Sequence, residues 1–157
     1  MEFRATDLPA SRGAWLDAFH GLVQDAHVRR YLVDGQVMPR EWSAAGIRDS
    51  LDLFARRGVG LRLASERESG EVVGFCGFLE IPSVHPDPQL VHALVERFAG
   101  RGCATGMAPA AMELARDGSR FDIIIAAVDE ANAASVRVLR KLGFETVEAP
   151  AASDGCW

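Results

Sequence analysis

Two apolar runs, GVGLRLASE (58–66) and EVVGFCGFLEI (71–81), are separated by only four residues, 67–70. So short a connection can reverse the chain but cannot carry the crossover that a parallel pair needs, so the two runs form an antiparallel hairpin. Everything after it must join a sheet that starts antiparallel.

The flanking segments supply helices on one side and a mixed pattern on the other. Trp15, Phe19, Leu22 and Val23 recur at i, i+4, i+7 and i+8, one apolar stripe along a helix, and 28–33 extends that region to a turn at Asp34-Gly35. Pro39 near a first helical position opens a second helix, with Ile47, Leu51 and Phe54 at helical spacing until Gly58. Residues 3–6 read as a short strand. Beyond the hairpin, a loop with three prolines (82–88) leads to QLVHALVERF, a strand ending at glycines. Then follow a helix over 107–115, the strongly apolar FDIIIAAV (121–128) as a buried strand, a helix over 132–142 stopped by Gly143, and a short strand over 144–148.

The stretch RFAGRGCATGMAPA (97–110) places Gly100, Gly102 and Gly106 ahead of a helix. Glycines there let the chain curl so that several backbone N–H groups face one anion, and the helix dipole adds positive character. Two guests fit the local pattern: a dinucleotide on a G-x-G-x-x-x-G turn, with Asp129 and Glu130 placed for its ribose, or the pyrophosphate of a coenzyme A. The dinucleotide reading would imply a nicotinamide-dependent oxidoreductase. It wants its motif near the start of a parallel sheet, whereas here an antiparallel hairpin comes first and only some fifty residues follow.

Composition narrows the partners. The chain has 157 residues, enough for one domain with one sizeable core, and a formal net charge of −5, which argues against broad nucleic-acid affinity and mildly favours a cationic substrate. Cys76, Cys103 and Cys156 are scattered, with no C-x-x-C pair and no histidine spacing suited to zinc, so reduced thiols, no metal and a cytoplasmic location are expected. No apolar run approaches the roughly 20 residues of a membrane span, and the first residues lack a signal-peptide pattern.

From 89 to 144 the chain resembles the GNAT superfamily of acyl-CoA-dependent N-acetyltransferases, most closely its RimJ/RimL-type branch. The resemblance is carried by QLVHALVERFAGRGCATGMAPAAMELA, by IIAAVDEANAASVRVLRKLGFE and, less closely, by SERESGEVVGFCGF. Gly102-Cys103-Ala104 matches the later half of the acyl-CoA loop R/Q-x-x-G-x-G/A. Asp129, Asn132, Ser135, Lys141, Gly143 and Phe144 match D-x-x-N-x-x-S-x-x-x-x-x-K-x-G-F in register. The resemblance implies an α+β, GNAT-like domain over 1–157 with a mixed, mainly antiparallel central sheet flanked by helices on both faces. It implies acetyl-CoA as co-substrate and direct transfer to a primary amine, on a protein N-terminus or a small molecule. An acyl-CoA-binding or regulatory module without catalysis is the alternative.

It also implies roles for particular residues. Backbone N–H groups of Gly100, Arg101, Gly102, Cys103, Ala104 and Thr105 would hold the pyrophosphate, with charge added by Arg101. Leu94, Val95 and Glu96 would pair with the pantetheine arm like an extra strand, the Leu94 N–H polarising the thioester carbonyl. Asn132 and Ser135 would lie beside that arm, with the Ser135 hydroxyl protonating the departing thiolate; the plain alternatives are an N-cap for Asn132 and helix-surface packing for Ser135. The base is open. Gln89 stands where relatives often carry glutamate and cannot take a proton as a carboxylate does. His92 is a candidate, directly or through water, against a packed strand residue; Glu80 and His85 are candidates by proximity in sequence.

Four departures stand out. Ala99 and Gly106 differ from the residues relatives usually have, and Pro109 falls early in a helix, where it removes a hydrogen bond. Family members normally finish with two strands after LGF, whereas ETVEAPAASDGCW has room for fewer. An uncovered edge beside FDIIIAAV would invite self-association, which admits a homodimer.

Overall fold

The computed structural model describes residues 3–6, 12–118 and 121–147. Strands β1 (Phe3–Thr6), β2 (Leu61–Glu66), β3 (Val72–Leu79) and β4 (Gln89–Leu94) lie side by side in that order, each antiparallel to its neighbour. The hairpin closes as its length requires: Glu66 donates its N–H to the Glu71 carbonyl at 2.9 Å, and Gly70 turns the chain at φ 69°. A register shift between Ala64 and Ser65 leaves one extra residue on β3 and bends the sheet there. The four strands are all antiparallel, and the only parallel contact among the described residues is an isolated bridge from Gln89 to Ile125.

Helices cover both faces. On one face Trp15, Phe19, Leu22 and Val23 of α1 (Arg12–Gln24), Val28 of α2 (Ala26–Leu32) and Ile47 of α3 (Arg40–Arg57) pack on Leu61, Leu63 and Phe75. On the other, Ala108, Ala111 and Ala115 of α4 (Cys103–Gly118) and Leu139 of α5 (Ala133–Lys141) pack with Cys76, Phe78 and Leu90. The small residues of α4 let that helix lie close to the sheet. Pro109 sits inside it, and the helix continues to Gly118.

Several expectations shift at element ends. The first helical region divides at Asp25, whose side chain accepts the N–H groups of His27 and Val28 at 3.0 and 3.1 Å and so starts α2 as a separate helix. QLVHALVERF stops being a strand at Leu94, and Glu96–Phe98 tightens into a 3₁₀ turn before the glycines. The helix after the glycines begins at Cys103, four residues earlier than its apolar pattern suggests.

The largest correction concerns FDIIIAAV. It bends at 122–123 and, apart from the bridge at Ile125, is unpaired among the described residues, with Ile123 68% exposed. An apolar run becomes a buried strand only where a neighbour takes up its backbone groups and both faces are covered. Here the Leu90 N–H donates to the Ile125 carbonyl at 2.7 Å, and no strand lies on the outer side among the described residues. For the same reason 144–147 form no strand; Glu148 lies outside the described residues.

Candidate active site

A cleft of about 460 Å³ opens along the free edge of β4. Its walls come from both faces of the sheet: His27, Tyr31 and Asp34 in and just after α2 on one side, the start of α4 and the inner side of α5 on the other. It therefore passes through the gap that β4 and 126–129 leave between them.

At one part of this cleft lies the glycine turn. Gly100 and Gly102 have φ of 75° and 81°, and a Cβ on either would meet nothing within 4 Å, so glycine is required there for its left-handed backbone rather than for space. The turn delivers the chain into α4, and Gly102, Cys103, Ala104 and Thr105 line the cleft. The first N–H groups of a helix have no partner within it, and the dipole reinforces them. Arg137 and Lys141, one turn apart on α5, line the same cleft and add positive charge. These groups fit an anionic, phosphate-bearing ligand such as coenzyme A.

The strand edge carries a second donor set. Leu90 points its N–H away from β3 to Ile125, while Val95 points its N–H to the Val73 carbonyl on β3 at 2.9 Å. Because N–H directions alternate along a strand, those of His92 and Leu94 face the same way as that of Leu90, into the cleft.

The side chains that meet here are His92 and Ser135. His92 shares its face of β4 with Leu90, which brings the ring to α5, where Nε2 lies 3.3 Å from the Ser135 Oγ. Asn132 accepts the Ser135 N–H on its Oδ1 at 3.1 Å, capping α5 and fixing the turn that carries the serine. Both the capping role and a place in the cleft thus belong to Asn132.

Burial lowers the pKa of His92 below its ordinary 6.5, because a ring removed from water resists charging. As pH falls below 6.5 the unfolded chain takes up the proton first, so this contribution to stability is present above 6.5 and lost below it. Thermal melts from neutral to acidic pH are expected to show stability falling through that window, and His92→Gln is expected to flatten the slope. An unchanged slope would contradict the burial argument.

Other candidates lie elsewhere. The Val95 N–H is taken by Val73, and Glu96 lies with Val95 in a shallow depression near α1. Arg101 is exposed, its guanidinium 5.5 Å from the Phe98 ring, and does not line the cleft. Glu80 makes a two-point ion pair with Arg56 at 2.8 and 3.2 Å, and the His85 Nδ1 accepts the Asp87 N–H at 3.0 Å. Gln89 is fully buried; its amide donates to the carbonyls of His85 and Asp87 and pins the proline loop, so its role is structural. Sequence reasoning passed over His27, Tyr31, Asp34 and Arg137, and matched Lys141 to a motif without giving it a role. The i, i+4 spacing of Arg137 and Lys141 was a visible signal, and the resemblance pointed to the N-terminal helices and the 82–88 loop for substrate choice without singling out α2 or its residues.

The described cysteines are not poised as nucleophiles. Cys76 is buried and its thiol is pushed up to about 12, and burial also raises that of Cys103, which packs with Ala64, Val73 and Phe98.

The cleft is thus lined by elements from both faces of the sheet, beside a glycine turn that leads into a helix. Residues 9–145 match the acetyltransferase (GNAT) domain, and the chain belongs to that family. An acetyltransferase from Agrobacterium tumefaciens superposes with a TM-score of 0.69 at 22% identity, over 86% of this chain and 76% of the other. The RimL ribosomal L7/L12 alpha-N-protein acetyltransferase in complex with coenzyme A gives 0.63 at 24%, over 88% and 76%. AAC(6')-Iy in complex with a bisubstrate analogue gives 0.62 at 20%, over 95% and 93%. No relative was found among curated proteins. Family membership supports acetyl-CoA-dependent acetyl transfer as the general activity. Among the described residues no helix is long and apolar enough to cross a membrane.

Proposed function

We propose that the chain, as one domain over 1–157, transfers an acetyl group from acetyl-CoA to a primary amine by direct attack in a ternary complex. The RimJ/RimL-type resemblance favours a protein N-terminus as acceptor, with small-molecule amines as the wider class. The observation that carries the reading is the single cleft that brings together the α4 N-terminus, the outward N–H of Leu94 and the Ser135 hydroxyl.

Each group answers one demand of the chemistry. The glycine turn and the α4 N–H groups, with Arg137 and Lys141, hold the phosphates of the donor. Leu94 donates its N–H to the carbonyl oxygen, where negative charge grows during attack. Ser135 protonates the departing thiolate, and His92 takes part in moving the proton released by the amine. Bound acetyl-CoA supplies the activated acetyl group itself. Burial raises the thiol pKa of Cys76 and Cys103, which favours direct attack over an acetyl-cysteine route through either of them. The dinucleotide reading loses its support, because β1–β4 run antiparallel where that motif wants a parallel sheet.

A thermal-shift comparison tests the proposal. Acetyl-CoA and desulfo-coenzyme A at 100-fold their dissociation constants are each expected to stabilise the fold by about 2.7 kcal/mol, with no shift from NADPH. A shift from NADPH alone would overturn the cofactor. Binding without transfer to any of a panel of amines would leave an acyl-CoA-binding module in place of the enzyme.

A further inference from the structure

Among the described residues two serine–histidine pairs form, and comparing them isolates what is special about one. His20 Nδ1 lies 2.9 Å from the Ser43 Oγ, and Gln24 joins that ring to the Met38 carbonyl. Ser43 is fully buried and none of these residues lines the cleft, so the group fastens α1 to α3. The pair formed by His92 and Ser135 joins β4 to α5 in the same manner, but both members line the cleft. Its second ring nitrogen, Nδ1, has no hydrogen-bond partner among the described residues. One end of the imidazole is thus engaged by a hydroxyl and the other is available.

Resting on the acetyl-transfer reading, we propose that His92 and Ser135 form one proton relay that ends on the sulfur, rather than an independent base and an independent acid. His92 lies on the α5 side of the sheet, beside the serine, and not among the α2 residues of the opposite wall. The amine nitrogen forms its bond to the acetyl carbon, and the carbon–sulfur bond breaks with its electron pair going to sulfur. The amine gives its proton to Nδ1 directly or through a water; Nε2 gives its proton to the Ser135 Oγ; Oγ gives its own proton to the sulfur. One proton has moved from nitrogen to sulfur, and the ring ends as the other neutral tautomer. No imidazolium need persist at this half-buried position, in keeping with the desolvation that lowers the pKa of His92. Asn132 is the positioning residue, since it holds the backbone of Ser135.

A double-substitution cycle distinguishes a shared path from separate ones. Ser135→Ala and His92→Gln are each expected to lower kcat about 100-fold, the scale of a single proton-transfer contribution. The double variant is expected to fall no further than the slower single, because a chain broken once is already broken. Effects that multiply in the double variant, or a single variant with unchanged kcat, would overturn the relay.

A second measurement stands without turnover or variants. With ring-¹⁵N-labelled histidine in the wild-type chain, coenzyme A is expected to shift the His92 ring nitrogens and desulfo-coenzyme A is not, since only the former places a thiol at the end of the relay. An equal response to both would overturn the inference even if acetyl transfer is observed. Failure of the wild type to acetylate any amine would instead count against the proposed function, and the nitrogen shifts would still decide the proton link.

Discussion

Replacing Leu94 with proline is expected to lower kcat for acetyl transfer by about 100- to 1,000-fold, the loss seen when one donor to a developing oxyanion is removed. The argument is geometric. The N–H of Val95 is spent on Val73, whereas that of Leu94 alternates away from β3 toward the cleft, so the ladder does not need it. Proline is tolerated where a strand's N–H faces outward, and its absence of an N–H is then a loss of function rather than of pairing. Acetyl-CoA affinity is expected to stay within a few-fold. Ala93→Pro is the contrast: its N–H faces β3, and the same change there is expected to destabilise the sheet. Steady-state kinetics and thermal melts of the two variants separate the cases, and an unchanged kcat in Leu94→Pro would remove that N–H from the mechanism.

Gly77→Ala is expected to cost about 4 kcal/mol of stability or more, roughly 10 °C in melting temperature. Two effects coincide there. Gly77 has φ 151°, a conformation side chains rarely adopt, and a Cβ would lie 2.1 Å from the Gly60 carbonyl oxygen and 2.9 Å from the Leu61 Cα. Both are backbone atoms of the β2 side, so neither can step aside as a flexible side chain would. Gly70→Ala separates strain from collision. Its φ is 69° with nothing within 4 Å, and its expected cost is only about 1 kcal/mol. Denaturant unfolding of the two variants reads the difference; equal losses would mean that the crossing of β2 and β3 is looser than these distances require.

Gly74 extends the same point toward the site. It pairs with Leu94, and a Cβ would lie 2.3 Å from the Ala93 carbonyl oxygen. The tight β3–β4 approach that bars a side chain at Gly74 also fixes the height of the strand edge that faces the cleft. Stability and donor geometry are therefore coupled at this pair.

Much of the arrangement was legible in order and period. The hairpin, the helices α1, α3, α4 and α5, and the glycine turn all follow from local pattern, because helical stripes, turn glycines and short connections act over a few residues. Asn132 was legible twice over, as an N-cap and as part of a spaced motif, and it serves as a cap in the cleft. Element ends were less so. The break at Asp25 depends on a side chain turning back to two N–H groups, and Gln89 gains its meaning only from carbonyls in the loop that its amide holds.

By itself the sequence determined a sheet that begins antiparallel, helices on either side of it, and a glycine turn at the head of a helix. These are short-range consequences of chain reversal, apolar periodicity and the sterics of Cβ. The tertiary structure decided that FDIIIAAV is not a regular strand and that α2 forms a wall of the cleft. It also decided that His92, forty-three residues before Ser135, comes within 3.3 Å of it. Pairing and side-chain proximity across such separations depend on which surfaces are left once the rest has packed, and no local pattern contains that information.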